Sequence, residues 1–398
     1  MKKIGFGSRC VHDIRKESTT ASHTLPIYAT SSFDFSSIEQ GMAVFTGEEE
    51  GHLYSRFGNP TIESVAAKIA ALEAYKLDIE TYGYLFSSGM NAITTLMLAC
   101  VKPGQKILTQ GNLYGGTTEL FNKILQPLGL DPILTNLQDL DQVERLLQQD
   151  DSIRMIYFET PANPTLACVD IAALADLGQR YDCLVTADNT FCSPYVQQPF
   201  AFGVDFVVHS TTKYINGHGN STGGAIIGKK GQPGKEEIFM GLKLVGGNSN
   251  AWDAWLINNG MKTLELRMER HCANALQIAK YLTEHSQVEQ VNYPGLTSHP
   301  DHALAKRQMR AFGGMLSFEL AGGLEAGKAF MNRLQFCKLA PTMGDVDTLV
   351  LHPASMSHLR VPPEVRLANQ ITDGLVRLSV GIENAEDIIA DLDQAIGA

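Results

Sequence analysis

Three short apolar runs in this 398-residue chain end in residues that could do chemistry. After Phe206-Val207-Val208 comes His209-Ser210-Thr211-Thr212-Lys213, an amine beside hydroxyls. After Leu184-Val185-Thr186-Ala187 comes Asp188-Asn189-Thr190, an acid where an apolar segment stops. After Met155-Ile156-Tyr157-Phe158 comes Glu159-Thr160-Pro161-Ala162-Asn163-Pro164, a stiff turn presenting an amide. One acid at a strand end is ordinarily a turn or cap residue, but three such ends on one sheet converge on a ligand site, because open α/β sheets bind ligands beyond the carboxyl ends of their strands. A lysine, a strand-end carboxylate and phosphate donors are the requirements of pyridoxal phosphate chemistry. The amine forms a Schiff base with the cofactor aldehyde, and the carboxylate keeps the ring nitrogen protonated so that the ring accepts electrons. A phosphate wants backbone N–H groups at a helix start, hydroxyls and a cation. Phe86-Ser87-Ser88-Gly89-Met90-Asn91, before a helical stretch at 92–99, offers the first; Ser210 and Thr212 offer hydroxyls, and Arg56 a cation.

Other readings of these residues fail on context. Ser210-x-x-Lys213 has the spacing of a serine β-lactamase nucleophile but lacks its partner motifs. Gly223 to Lys229 has P-loop spacing, yet Lys230 stands at the Ser/Thr position and a strand-like Ala225-Ile226-Ile227 lies inside it. His299-x-x-His302 has no third ligand nearby and reads as a solvated surface pair, so no metal site is expected.

These residues need a scaffold. Apolar runs at Lys106–Leu108, 155–158, 184–187 and 206–208, separated by helix-length segments, imply an α/β domain with a largely parallel sheet. Val65, Ile69 and Leu72 sit at helical spacing. Residues 1–60 read as an irregular arm that must pack on the body or on a partner subunit; 61–255 read as the cofactor domain. Long helices near 252–285 join this to a smaller C-terminal α+β domain, 256–398, with a strand at 315–320 and a last amphipathic helix at 388–396.

Composition sets limits. Hydrophobic residues make up 44% and charged residues 19%, enough for a large core, and the formal charge of −11 offers nucleic acid no basic footprint. No apolar run approaches the ~18–20 residues of a membrane span. Met1-Lys2-Lys3-Ile4-Gly5 lacks the apolar segment of a secretory signal, and seven scattered cysteines without a C-x-x-C pair form neither a disulfide framework nor a zinc finger. A reduced, cytoplasmic location is the expectation.

The ordered motifs carry a resemblance. Tyr54-Ser55-Arg56-Phe57-Gly58-Asn59-Pro60-Thr61, Ser88-Gly89-Met90, Leu113-Tyr114-Gly115, Pro161–Pro164, Asp188-Asn189-Thr190, His209–Tyr214 and Leu375-Val376-Arg377-Leu378-Ser379 together resemble the Cys/Met-metabolism family of PLP enzymes, almost end to end. That family includes methionine γ-lyases, cystathionine lyases and synthases, and O-acylhomoserine sulfhydrylases. The resemblance implies an aspartate aminotransferase-type fold (fold type I), pyridoxal 5′-phosphate as cofactor, and a homotetramer built from shared-site dimers. It implies that Lys213 holds the cofactor and shuttles protons, and that Asp188 pairs with the ring nitrogen. Tyr114 would stack on the ring and act as acid and base. Gly89, Met90, Ser210 and Thr212 would hold the phosphate, with Tyr54 and Arg56 reaching the neighbouring subunit's. Arg377, helped by Asn163 and Thr342, would clamp the substrate carboxylate.

For substrate, the departures matter. Gly116 stands where methionine γ-lyases typically have Cys, and Leu244 follows Lys243 where they tend to carry Asp. Pro341 occupies the place of the Glu found in cystathionine-handling relatives, and Thr342 replaces a usual Ser. The wider texture, in Arg267–Cys272, Gly313-Gly314-Met315 and His352–Met356, is that of the γ-lyases. The implied reaction is α,γ-elimination from methionine or homocysteine to a thiol, 2-oxobutanoate and ammonia. The alternatives are γ-replacement, as in O-acylhomoserine sulfhydrylases and cystathionine γ-synthases, or cystathionine γ-lyase activity. Gly116 is expected to leave room beside Tyr114.

Overall fold

The structure is a computed structural model that describes residues 4–14, 22–357, 359 and 363–397. Met1-Lys2-Lys3, on which the leader reading partly rested, lie outside the described residues. The seven-stranded sheet comprises β1 (Thr81–Phe86), β2 (Lys106–Gln110), β3 (Asp131–Thr135), β4 (Ile153–Glu159), β5 (Leu184–Asp188), β6 (Phe206–His209) and β7 (Gly224–Lys229), in the order β1-β7-β6-β5-β4-β2-β3. From β6 to β3 every pairing is parallel, as the apolar runs suggest. β7 runs antiparallel to both β6 and β1. β1 has no clean apolar signature because Gly83 interrupts it, while β7 extends the strand-like Ala225-Ile226-Ile227 to the glycines on either side. β7 also disposes of the P-loop reading: the glycine-lysine stretch is a strand and opens no helix.

Strand residues alternate between two apolar layers. On one face Phe158, Val185, Ala187 and Val207 meet Val65, Ile69 and Leu72 of α3 (Pro60–Glu73). On the other, Met155, Tyr157, Phe206 and Val208 meet Ile93, Leu96 and Met97 of α4 (Gly89–Cys100). Each helix starts where its sequence says it should. Asn59 caps α3 by accepting from the Thr61 N–H, with Pro60 in the first turn; Ser88 caps α4 by accepting from the Asn91 N–H. Both sheet faces are therefore covered, and chemistry is left to the strand ends.

The arm is less irregular than its composition implies. It carries α1 (Phe6–Val11) and α2 (Ile38–Thr46). Phe6 is buried in its own body, its ring meeting Tyr75 and Tyr195 edge-on at 5.3 and 5.5 Å. A second sheet, β8 (Val288–Asn292), β9 (Met315–Leu320), β10 (Lys338–Leu339), β11 (Leu349–Leu351) and β12 (Leu375–Ser379), has the order β10-β11-β12-β9-β8. On the central strand β12, Arg377 lies between Leu351 of β11 and Ser317 of β9. The two histidines read as solvated are not: His299 is buried and accepts from the Asp301 N–H at 3.1 Å, while His302 stacks on Phe312. No cluster of three or more metal-binding side chains occurs among the described residues, nor any helix long and apolar enough to cross a membrane.

Candidate active site

At the carboxyl ends of β4, β5 and β6 a cavity of about 200 Å³ opens towards the second sheet. Its walls include Lys213, Asp188, Tyr114, Gly89, Met90, Ser210, Thr212, Arg377, Asn163 and Thr342. Only Tyr54 and Arg56 of the expected residues are absent from it. Arg56 instead donates to the Lys243 carbonyl and lies 4.8 Å from the centre of the Phe57 ring, on the same chain's surface.

Lys213 sits one turn beyond the end of β6, and its Nζ donates to Thr342 Oγ1 at 2.7 Å. Burial, and then the Arg377 guanidinium, push this amine down to about 8. About a tenth is therefore uncharged and nucleophilic at pH 7, against well under a hundredth for an ordinary lysine. Arg377, buried at the cavity wall, donates from Nη1 to Asn163 Oδ1 at 3.1 Å and from Nη2 to the Thr342 carbonyl at 2.8 Å. Its Nε has no partner, and burial lowers the group to about 10, still a cation at neutral pH. A buried guanidinium with a spare donor is suited to a carboxylate.

Asp188 is held from two sides: Thr190 N–H donates to Oδ1 at 3.0 Å and Tyr157 Oη to Oδ2 at 3.2 Å. Burial raises this acid, while the Thr190 hydrogen bonds, the His209 ring and the Tyr157 phenol pull it back. Thr190 also accepts from the Ser210 N–H at 2.8 Å, locking the ends of β5 and β6 together. On the opposite sheet face Glu73 ties the same two ends. It accepts from Asn189 Nδ2 at 2.8 Å and meets His209 Nε2 at 2.5 Å.

The donor set fits pyridoxal phosphate. The start of α4 has no acid in its first turn and lines the cavity beside the Ser210 and Thr212 hydroxyls, which suits a phosphate. The cradle is tight: a Cβ at Gly89 would come within 2.8 Å of Ser210 Cβ, and one at Gly224 within 2.2 Å of the Ser88 carbonyl. An amine and a carboxylate complete the set.

Two features escaped the sequence. Glu159, quoted only as the start of a turn, lines the cavity beside Asp188 and accepts from the Tyr114 N–H with both oxygens, at 2.9 and 3.1 Å. The signal was present, since it ends a buried strand as Asp188 does, but its neighbour could be known only from strand order. Gly116 leaves no room beside Tyr114: the phenol ring lies over it, and a Cβ there would come within 2.5 Å of Tyr114 Cε1. The expected free space is filled by the ring itself.

Residues 8–397 match the family described as Cys/Met metabolism PLP-dependent enzyme. The chain is 46% identical to an L-methionine γ-lyase of Fusobacterium nucleatum subsp. polymorphum, over 99% of this chain and 98% of that protein. It is 43% identical to an L-methionine γ-lyase of Porphyromonas gingivalis, over 100% and 98%. A crystal structure of cystathionine γ-lyase from Lactobacillus plantarum, complexed with L-serine, superposes with a TM-score of 0.91 at 38% identity and covers 99% of each chain.

Proposed function

We propose, from the premise that the chain belongs to the Cys/Met-metabolism PLP-dependent enzymes, that it cleaves the γ-carbon–sulfur bond of L-methionine and homocysteine, yielding a thiol, 2-oxobutanoate and ammonia. The fold is that of type I PLP-dependent enzymes, the cofactor is pyridoxal 5′-phosphate, and the enzyme is a carbon–sulfur lyase. One observation carries the assignment of roles: an amine pushed down to about 8, a strand-end carboxylate and a buried guanidinium with a free donor share one cavity.

When bound, the cofactor supplies an electron sink that makes protons at Cα and Cβ removable. Asp188 would keep the ring nitrogen protonated, and Gly89, Met90, Ser210 and Thr212 would hold the phosphate. Lys213 would carry the cofactor and would serve as the base for the Cα proton, with Thr342 Oγ1, 2.7 Å from its Nζ, fixing its approach. Arg377 and Asn163 hold the α-carboxylate, which sets the Cα–H bond towards Lys213. Tyr114, on the cavity wall, would lie against the cofactor ring and would give its phenolic proton to the departing γ-sulfur. Tyr54 and Arg56 serve the phosphate of a second copy, which accounts for their distance from this chain's own cavity. Residues 1–60 form that arm, 61–255 the cofactor domain and 256–398 the smaller domain of a cytoplasmic homotetramer.

Pro341 on the cavity wall gives the distal amino group of cystathionine no carboxylate, which favours the smaller sulfur substrates. A product assay over methionine, homocysteine, cystathionine, cysteine and O-acetylhomoserine, the last with and without sulfide, tests the reading. 2-Oxobutanoate from the first two, with weak discrimination between them, is expected. Turnover only of O-acetylhomoserine with sulfide would replace the reading by γ-replacement.

A further inference from the structure

Glu159 and Asp188 are register partners at the ends of adjacent parallel strands, β4 and β5. Side chains paired in this way share a face of the sheet, and both carboxyls line the cavity. Two carboxylates so close in a buried site do not both ionise readily, and the proton goes to the less supported one. Support is unequal. Asp188 accepts from a backbone N–H and a phenol and has His209 behind it, whereas Glu159 has a single backbone N–H, that of Tyr114. Glu159 fixes the backbone of Tyr114, whose ring otherwise lies over Gly116. Tyr114 stands just before a six-residue helix (Gly115–Leu120), and the residue is 53% exposed.

We propose that Glu159 is a positioning residue that holds Tyr114 over the cofactor ring, and that it does so as a neutral acid, leaving the single negative charge of the pair on Asp188. The charged and titratable groups facing it are Asp188 from β5, Tyr157 on its own strand, Tyr114, and, across the cavity, Lys213 and Arg377. Burial, and then Asp188, push Glu159 up to about 8, in line with this allocation. One negative charge against one ring-nitrogen proton makes a balanced pair, and the neutral neighbour adds geometry without adding charge. The proposal rests on the cavity being the pyridoxal-phosphate site.

The test uses holoenzyme of wild type, Glu159→Gln and Glu159→Ala, each checked for fold by far-ultraviolet circular dichroism. Glutamine keeps an acceptor oxygen for the Tyr114 N–H and, like a neutral acid, has no charge. The readouts at pH 7 are the cofactor dissociation constant by equilibrium dialysis, the circular dichroism of the bound cofactor's visible band, and kcat and KM for L-methionine. A visible cofactor band present in the wild type and lost in Lys213→Ala establishes the site independently of the Glu159 variants. The alanine variant is expected to lose at least tenfold in kcat, with an altered visible circular dichroism. Glutamine should recover most of that loss and shift the cofactor dissociation constant by less than threefold. Glutamine that weakens cofactor binding tenfold or more would show that Glu159 acts as an anion and overturn the proposal. An alanine variant with wild-type kcat and circular dichroism would remove the positioning role. Should alanine fail to fold, the dissociation constant of the glutamine variant decides alone.

Discussion

Replacing Arg377 by lysine keeps the charge and removes the fork. Arginine reaches Asn163 Oδ1 at 3.1 Å through Nη1 and the Thr342 carbonyl at 2.8 Å through Nη2, with Nε still free. A lysine ammonium at the end of a thinner stem cannot hold both wall contacts and also present two parallel donors to a carboxylate. One charge-assisted hydrogen bond to the substrate is therefore lost, worth about 1.5–3 kcal/mol. At about 1.36 kcal/mol per decade, that is roughly a 10- to 150-fold fall in kcat/KM. Asn163 and the remaining lysine contact still orient the carboxylate, and the lost bond is made alike in the ground state and the transition state, so the loss should fall on KM, with kcat retained within about threefold. Steady-state 2-oxobutanoate formation from L-methionine, measured over a wide concentration range, reads both constants. An unchanged KM with a collapsed kcat would refute the clamp and place Arg377 in the chemical step. An unchanged kcat/KM would place the carboxylate elsewhere.

Three further outcomes follow from the same geometry. Because Lys213 is pushed down to about 8 from 10.5, its neutral fraction grows with pH up to that point. Cofactor loading of the apoenzyme, followed by its visible band, should accelerate about tenfold per unit between pH 6 and 7 and level off above about 8; a rise continuing to pH 10 would show an unperturbed lysine. Gly116→Cys should shift the kcat/KM ratio towards methionine over homocysteine by displacing the Tyr114 ring that now covers the glycine; an unchanged ratio would remove this position from the specificity argument. Mixing Arg56→Ala with Lys213→Ala subunits should restore activity in verified hetero-oligomers, since one site of each shared pair would carry both lesions and the other neither. No recovery would count against arm sharing.

Much of the scaffold was legible because buried parallel strands announce themselves. Met155–Phe158, Leu184–Ala187 and Phe206–Val208 are mainly apolar, with Thr186 the one small hydroxyl, and each is followed by a residue that faces the cavity or supports one that does. β1 was not legible, because an antiparallel edge strand interrupted by Gly83 has neither a continuous run nor clean alternation, whereas of β7 only the strand-like Ala225-Ile226-Ile227 showed. α1 was hidden by its length, six residues being too few for periodicity to show. In the cavity, residue types were readable one strand at a time, but relations across strands were not. That Glu159 faces Asp188 depends on β4 lying next to β5. That Tyr114 covers Gly116 depends on a side-chain rotamer, which no spacing encodes. The histidine pair at 299 and 302 misled because its pattern resembles a surface motif, whereas its partners are a backbone amide and an aromatic ring.

The most direct test of the central claim is the stoichiometry of products from L-methionine alone. The purified holoenzyme should release methanethiol, 2-oxobutanoate and ammonia in equal amounts as methionine disappears, and the Lys213→Ala protein should release none. Methionine left intact by an enzyme that binds pyridoxal phosphate and turns over O-acetylhomoserine with sulfide would contradict it.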